Sequence, residues 1–433
     1  MRFFSKRFFA IFLAGVILLT TSNATSAQAA SGPWSLEDCL EYGLSHHPDI
    51  AQAESQVRSS AAREGQARAG LGTKVNFQSS FQRSGQDFSR RGSLNSGLTD
   101  STANSISARK VLDDSGRTRE QMNAARETIK ANQAQLSWYR VLVASGIKTA
   151  YYRALQAKAL MKVQEDALKG FQAHLQKVNS FVEVGSKPPH DITKAEVDVA
   201  NTQVSLIKAE NNYRNALARL AEEVGFEGEL TINNPDVLSK IPMPSLEKDR
   251  LLEEAFGRND VAYAGFNLRA TEHQLGQVKK GLKPNLSSSA GYDWSGTATP
   301  LDRSWNMGLA VSVPILDGKL TRFQVREAEA NIQTSKARLN KLRQTVRSQV
   351  EVAINGVNDA FKRLEASEVL LRQASESLAL AEGRYDAGLG SPIEITDARS
   401  AFSNAEGTKI SAYFDSLIAI SELEKSLGRL PNE

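Results

Sequence analysis

The side chains that most often perform catalysis or bind metals are sparse in this chain. Its histidines are His46, His47, His174, His190 and His273. No two of them have the i, i+4 spacing, with a carboxylate nearby, of a helical zinc site. The single cysteine, Cys39, excludes an intramolecular disulfide framework and a four-thiolate zinc site. Because the sequence also has neither a Gly-x-Ser-x-Gly elbow nor a Walker-type phosphate loop, we predict no enzyme activity, metal site or cofactor.

The first thirty residues resemble a secretory signal. Three basic residues precede an apolar run at 8–19, and residues 27–30 are the small-residue pattern at which a signal peptidase cuts. The run is shorter than the ~20 residues of a spanning helix, and no later segment is longer, so we expect no transmembrane helix. Removing those three of the 53 basic residues leaves 50 against 49 acidic ones. A net charge of +1 gives no reason to expect a nucleic-acid partner.

The chain contains an internal duplication. The residues Gly185, Pro189, Ile192, Thr193 and Ala195 recur 203 positions later as Gly388, Pro392, Ile395, Thr396 and Ala398. Near the front the displacement is 211, so the first half carries about eight extra residues. We predict a signal at 1–30, a first repeat at 31–225, a connector at 226–248, a second repeat at 249–428 and a tail at 429–433. The extra residues, rich in Gly and Ser between 84 and 105, are interpreted as a long exposed loop.

Each repeat is predicted to have the same order of elements. A short helix and a second helix lead into two strands, which are followed by a very long helix, a Gly/Pro turn and a last helix. Alternation of apolar and polar residues places the strands at about 75–83 and 104–112 in the first repeat, and at about 286–294 and 305–315 in the second.

The predicted strands fit two environments. Strands of ~9–11 residues with one apolar face are what a membrane barrel needs, and Tyr292, Trp294 and Trp305 would then form an interfacial aromatic girdle. An ordinary hairpin that covers a soluble core shows the same alternation. The strand pattern alone leaves both readings open.

The long helices exceed the size of a globular domain. No proline interrupts residues 319–382, which at ~1.5 Å per residue span on the order of 100 Å. Apolar or small residues recur there in steps of three and four, a period near 3.5 that predicts left-handed coiled-coil packing. Both a tube of helices and a simple antiparallel hairpin fit this period.

Three segments, taken together and in order, resemble the TolC family of bacterial outer-membrane efflux proteins. They are WSLEDCLEYGLSHHPDI at 34–50, VPILDG at 313–318 and YDAGLGSPIEITDA at 385–398. The resemblance covers essentially the whole mature chain. It implies a mainly α-helical homotrimer with a small transmembrane β part. Each protomer would add four strands to one twelve-stranded barrel in the outer membrane, and the long helices would form a tunnel through the periplasm.

The same resemblance implies a function and partners. Family members are passive exit ducts of tripartite efflux or type I secretion systems, contacting outer-membrane lipid and served by an inner-membrane pump and a periplasmic adaptor. Adaptor hairpins would dock at the turns between the long and last helices, at Gly185, Ser186, Gly388, Leu389, Gly390 and Ser391. The competing hypothesis is a periplasmic coiled-coil adaptor or scaffold whose strands form a soluble domain.

The resemblance also implies a gate at the far end of the tunnel. By position, Glu394 and Asp397 would ring the closed end, and their i, i+3 spacing would give a trimer two stacked carboxylate rings that favour cations. A solvated acidic helix start is the simpler reading of the same pair. The first-repeat counterparts are Asp191 and Lys194. Tyr385 matches a residue that helps to hold the family's gate closed, whereas the usual basic partner falls on Gly390, which indicates either a different latch or a looser one.

Overall fold

The structure, a computed structural model, describes residues 32–90, 93–233, 241–297 and 300–430. The predicted signal at 1–30 lies outside these residues. Within them, no helix combines the length and the hydropathy needed to cross a bilayer.

Twelve main elements follow the duplicated order predicted from the sequence. The first repeat contains α1 (Leu36–His46), α2 (Pro48–Arg68), β1 (Lys74–Arg90), β2 (Ser93–Asp113), α3 (Arg117–Glu183) and α4 (His190–Val224). The second contains α5 (Lys248–Phe256), α6 (Asn259–Lys279), β3 (Asn285–Gly296), β4 (Asp302–Ser312), α7 (Leu320–Asp386) and α8 (Pro392–Leu427). The mainly helical architecture with a small antiparallel sheet is thereby confirmed.

The helices α3 and α7 set the length of the molecule. Each has 67 residues, about 100 Å at 1.5 Å per residue. Near the sheet α3 packs on α2 and α6, and towards its other end it packs on α4 and α8. Ion pairs mark the two halves: Arg126 with Glu64 near the sheet, and Lys148 with Glu424 farther along. The protomer is therefore a long bundle with the sheet at one end.

The bundle is held by three separate clusters of buried side chains. The largest, around Ile147 and Leu220, packs α1, α3 and α4 together near the middle of the bundle. Cys39 is completely buried in this cluster, and burial raises the pKa of its thiol to about 12, so its role is packing. The second cluster joins α5, α7 and α8, and the third lies at the end of the bundle that is far from the sheet.

A short backbone staple ties the start of the described chain to the connector. The N–H of Trp34 donates to the carbonyl of Thr231 at 2.8 Å, and the N–H of Asn233 donates to the carbonyl of Trp34 at 3.0 Å. The indole packs on Phe226, with ring centroids 5.1 Å apart. This staple closes the largest buried cluster at one side.

The sheet has the order β1-β2-β3-β4, and all of its neighbouring strands are antiparallel. The prediction of an exposed loop at 84–105 is wrong, because β1 and β2 extend into this segment. The strands predicted at 75–83 and 104–112 are therefore shorter than the observed ones. The extra residues lengthen the hairpin instead, since β1 and β2 pair from Lys74↔Arg109 to Arg90↔Ser93. Pairing satisfies the backbone N–H and C=O groups that a loop would leave to water. In the second repeat β4 starts earlier than predicted and ends at Ser312, because Pro314 has no N–H for the ladder.

Candidate functional site at the sheet faces and the helical tips

One face of the sheet is apolar and uncovered. Because directly opposed residues point to the same side of a sheet, the register Phe77↔Ile106↔Tyr292↔Trp305 forms a continuous row across all four strands. The exposed fraction is 64% for Phe77 and 75% for Trp305. A soluble hairpin would bury this face on a core, so the exposure argues against that reading.

The opposite face of the sheet is polar. Its rows are Asn76↔Ser107↔Gly291↔Asn306 and Gln78↔Ser105↔Asp293↔Ser304. Small hydroxyl, amide and glycine residues suit a surface that faces water. The sheet is therefore amphipathic in the sense of a membrane strand set, with an apolar side for lipid and a polar side for an aqueous interior.

The predicted aromatic residues lie together on the apolar face. Tyr292 is directly opposite Trp305, and Trp294 lies in the neighbouring row with its ring 5.8 Å from that of Tyr292. Phe77 stacks on Trp294 at 6.2 Å, a contact that the sequence reasoning missed. The alternation within β1 was the available signal for Phe77, since that residue occupies an apolar-face position between Val75 and Phe81.

The two turns far from the sheet have the same backbone. We call residues 184–189, between α3 and α4, the first tip, and residues 387–391, between α7 and α8, the second tip. Gly185 and Gly388 have φ of +76° and +75°, the left-handed region that glycine adopts without strain. The N–H of the following residue, Ser186 or Leu389, then donates to a carbonyl five residues back at 2.9 Å. Both tips are therefore Schellman-type helix ends.

The acidic residues predicted for the gate lie at the start of α8. Ser391 caps this helix by accepting from the N–H of Glu394 at 3.3 Å. Glu394 and Asp397 are exposed and share a helix face. Arg384, on the last turn of α7, places its Nε 3.4 Å from a carboxylate oxygen of Glu394. In the first repeat, Asp191 is half-buried at the start of α4.

Tyr385 is the centre of the buried cluster at the tips. Its side chain is 1% exposed, and burial, followed by the charges of Asp191 and Asp386, raises the pKa of the phenol. The rings of His174 and Phe181 lie 5.5 and 5.8 Å away. In the described part of the chain, the hydroxyl of Tyr385 has no hydrogen-bond partner. Through this packing Tyr385 joins the helical hairpin of α7 and α8 to the helical hairpin of α3 and α4.

A basic partner for Tyr385 comes from the first tip. The Nζ of Lys187 lies 4.7 Å from the centroid of the Tyr385 ring, which is cation–π geometry. At Gly390 a side chain has no room, because a Cβ there would lie 2.9 Å from the backbone nitrogen of Tyr385. The repeat displacement of 203 places Lys187 at the position equivalent to Gly390, a signal that the sequence reasoning did not use.

Further polar contacts join the two hairpins near the tips. Lys177 pairs with Asp386 across α3 and α7. Thr396 donates to Asp198 at 2.9 Å, which joins α8 to α4. These contacts were not predicted from the sequence, because they depend on how the four helices pack.

Comparison with known proteins decides the family. The outer membrane efflux protein family matches residues 41–225 and 251–429.

The chain belongs to the outer membrane efflux protein family.

Relatives of this chain are named as outer membrane proteins. The chain is 25% identical over 301 residues to "Outer membrane protein TolC" of Escherichia coli, an alignment that covers 65% of this chain and 60% of TolC. It is 24% identical over 334 residues to "Solvent efflux pump outer membrane protein SrpC" of Pseudomonas putida, covering 73% and 68% of the two chains. As a member of the family, the protein is an outer membrane efflux protein, and its alignment spans less than two thirds of the length of TolC.

Solved structures show the same fold for this outer membrane efflux protein. The outer-membrane channel OprN matches with a TM-score of 0.77 and 19% identity, over 91% of this chain and 89% of that one. The outer membrane protein VceC of Vibrio cholerae matches with a TM-score of 0.75 and 18% identity, over 91% and 96%. The chain therefore shares its fold with these two outer-membrane proteins.

Proposed function

We propose that the protein is the outer-membrane exit duct of a tripartite efflux or type I secretion system and that it works as a homotrimer. The observation that carries this proposal is the amphipathic four-stranded sheet, whose outer strands β1 and β4 each have one edge without a partner in the described chain. Four strands cannot close on themselves, and open edges with an exposed apolar face are incompatible with a bilayer. Three copies supply twelve strands and remove every edge.

The helices form the periplasmic part of the duct. At about 100 Å, α3 and α7 reach far beyond the membrane, and three protomers would surround a continuous tunnel. The duct is passive: an inner-membrane pump supplies the energy, and a periplasmic adaptor joins the pump to the duct. Apolar side chains at solvent-facing positions of the tips, Val184 and Leu389, each 75% exposed, support adaptor docking there with Gly185, Ser186, Gly388, Gly390 and Ser391.

The second tip and the first turns of α8 are the proposed periplasmic gate. In a trimer, Glu394 and Asp397 would form two carboxylate rings that favour cations, with Asp191 nearby in the first repeat. The Lys187–Tyr385 contact would hold the hairpins of one protomer together in the closed state. Tyr292, Trp294 and Trp305 would lie at a membrane interface, where aromatic rings contact lipid headgroups.

The test uses mature protein purified in detergent. We expect a trimer by mass and a small, cation-selective single-channel conductance in planar bilayers that divalent cations block. A water-soluble monomer without conductance would refute the duct and support the periplasmic scaffold.

A further inference from the structure

We infer that Lys74 and Arg109 form a cationic ring inside the barrel at its periplasmic end, and that this ring binds multivalent anions. The inference rests on the proposed function, since the ring requires three protomers with their polar sheet faces turned inward. It assigns a second charged zone to the duct, opposite in sign to that of the gate.

The register places both residues on the polar face. Lys74 is directly opposite Arg109, and the row continues through Ser289 to Gly308. This row lies at the helical end of the sheet, where β1 begins and β2 approaches its end. Lys110, the next residue, points to the apolar side, where it lies opposite Ser288 in the row that ends at Leu309. One strand therefore carries adjacent basic residues on opposite faces.

The two like charges have no compensation within the described residues. The ion pairs near the two ends of the sheet are Arg83 with Asp100 and Lys280 with Glu120, and neither Lys74 nor Arg109 has an ion-pair partner among the described residues. Like charges directly opposite each other destabilise a sheet. A costly arrangement on a face whose other residues at this end are small and uncharged indicates a function.

The acidic residues near Lys74 and Arg109 either accept hydrogen bonds at the starts of helices or lie too far away to pair with them. Asp114 accepts from the N–H of Thr118 at 2.7 Å at the start of α3, and Asp317 accepts from the N–H of Thr321 at 2.8 Å at the start of α7. Asp293, on the same face, lies in the row of Ser105, four residues along β2 or about 13 Å from Arg109.

A neighbouring protomer would not neutralise the row either. In a closed trimer, β1 pairs with β4 of the next copy, and the polar face of β4 offers only Gly308, Ala310 and Ser312 at this end. The acidic residue of that face, Asp302, lies at the opposite end of the strand.

The size of the barrel makes such a ring effective. Twelve strands about 4.8 Å apart and tilted by about 40° give a backbone radius of roughly 12 Å. Long side chains pointing inward would leave an opening comparable to the Debye length of about 8 Å at physiological ionic strength. Six positive charges around this opening would raise the local concentration of anions by about tenfold or more.

The probe is inorganic tripolyphosphate, added separately to each side of a planar bilayer that contains the purified trimer. We expect it to reduce the wild-type conductance mainly from the barrel side. In the double variant Lys74→Ser, Arg109→Ser, the half-blocking concentration should rise about tenfold. The matched control is Lys110→Ser, which removes one charge from β2 on the lipid side. Tripolyphosphate should block this variant at the same concentration as wild type.

A second variant guards against misfolding. Arg109→Glu places a carboxylate opposite Lys74, so it should stabilise the pairing of β1 with β2. The row then has no net charge, and tripolyphosphate should no longer block the conductance. The proposed ring would be refuted if tripolyphosphate blocked wild type, the double serine variant and Arg109→Glu equally. It would also be refuted if tripolyphosphate did not block wild type from either side. Failure to obtain a conducting trimer would instead overturn the proposed duct, while a normal trimer with divalent block at the gate leaves the duct standing.

Discussion

The residues that follow the turn glycine in the first repeat include Lys187, Asp191 and Lys194, whereas the residues 203 positions later are Gly390, Glu394 and Asp397. Both tips begin with a left-handed glycine and the same pair of backbone hydrogen bonds. The duplication has therefore kept the turn and changed its charge. The first tip carries the cation that contacts Tyr385, and the second carries the acidic face proposed as the gate, so each tip supplies what the other lacks.

The largest effect should come from the aromatic ring that joins the two tips. Tyr385→Ala should cost about 3–5 kcal/mol of local stability, as is typical for truncation of a buried aromatic side chain, and should raise the single-channel conductance by loosening the closed end. Tyr385→Phe is the matched control. It should keep the wild-type conductance, because the hydroxyl has no partner in the described part of the chain. An alanine variant that conducts like wild type would separate Tyr385 from closure.

The acidic face of the second tip should control ion selectivity. We expect Glu394→Gln with Asp397→Asn to reduce cation selectivity and to weaken divalent block about tenfold, measured as reversal potential and half-blocking concentration. The equivalent change at the first tip, Asp191→Asn with Lys194→Gln, leaves the net charge unchanged and should have little effect. Unchanged selectivity in the first variant would remove the second tip from the gate.

The buried imidazole between the hairpins should make closure sensitive to acid. Burial, with the nearby charge of Arg399 and a smaller effect of Lys177, lowers the pKa of His174, although Asp198 opposes this. The folded state therefore favours the neutral ring, and its full stability is present above the ordinary pKa of about 6.5. As the pH falls below that value, stability should decrease by up to ~1.4 kcal/mol per unit until the folded pKa is reached.

The measurement for His174 is conductance and urea unfolding between pH 5 and pH 8, which spans the ordinary imidazole pKa of about 6.5. His174→Gln should lose most of the acid-dependent change, since it removes the titrating group and keeps a polar side chain of similar size. The same acid sensitivity in both proteins would assign the effect to other groups.

The smallest effect should come from the cation of the first tip. Lys187→Gln should weaken closure by about 0.5–1 kcal/mol, the range for a partly exposed cation–π contact, and should increase the frequency of brief openings. Lys187→Arg should restore the wild-type record, because guanidinium also binds aromatic faces. If Lys187→Gln and wild type open equally often, the two tips are not joined by this contact.

The helices and tips could be predicted from the sequence because their signals are local. Proline-free coiled-coil periods mark α7, and the recurring Gly185 and Gly388 mark the turns. The length of the hairpin of β1 and β2 could not be predicted, because a Gly- and Ser-rich segment is typical of loops. Strand pairing also leaves little signature in the side chains. Tyr385 was predicted as a site residue, whereas the contact of Arg384 with Glu394 depends on turn geometry that no spacing rule describes.

The backbone staple at Trp34 has a consequence for the order of folding. Its partners, Thr231 and Asn233, lie about two hundred residues later in the chain. A chain that crosses the inner membrane from its N-terminus exposes Trp34 and α1 long before these partners arrive. Contacts of such sequence separation form slowly, because a large loop must close first. Trp34 therefore lacks these partners during export, and we expect its indole to remain accessible until the connector has followed the first repeat across the membrane.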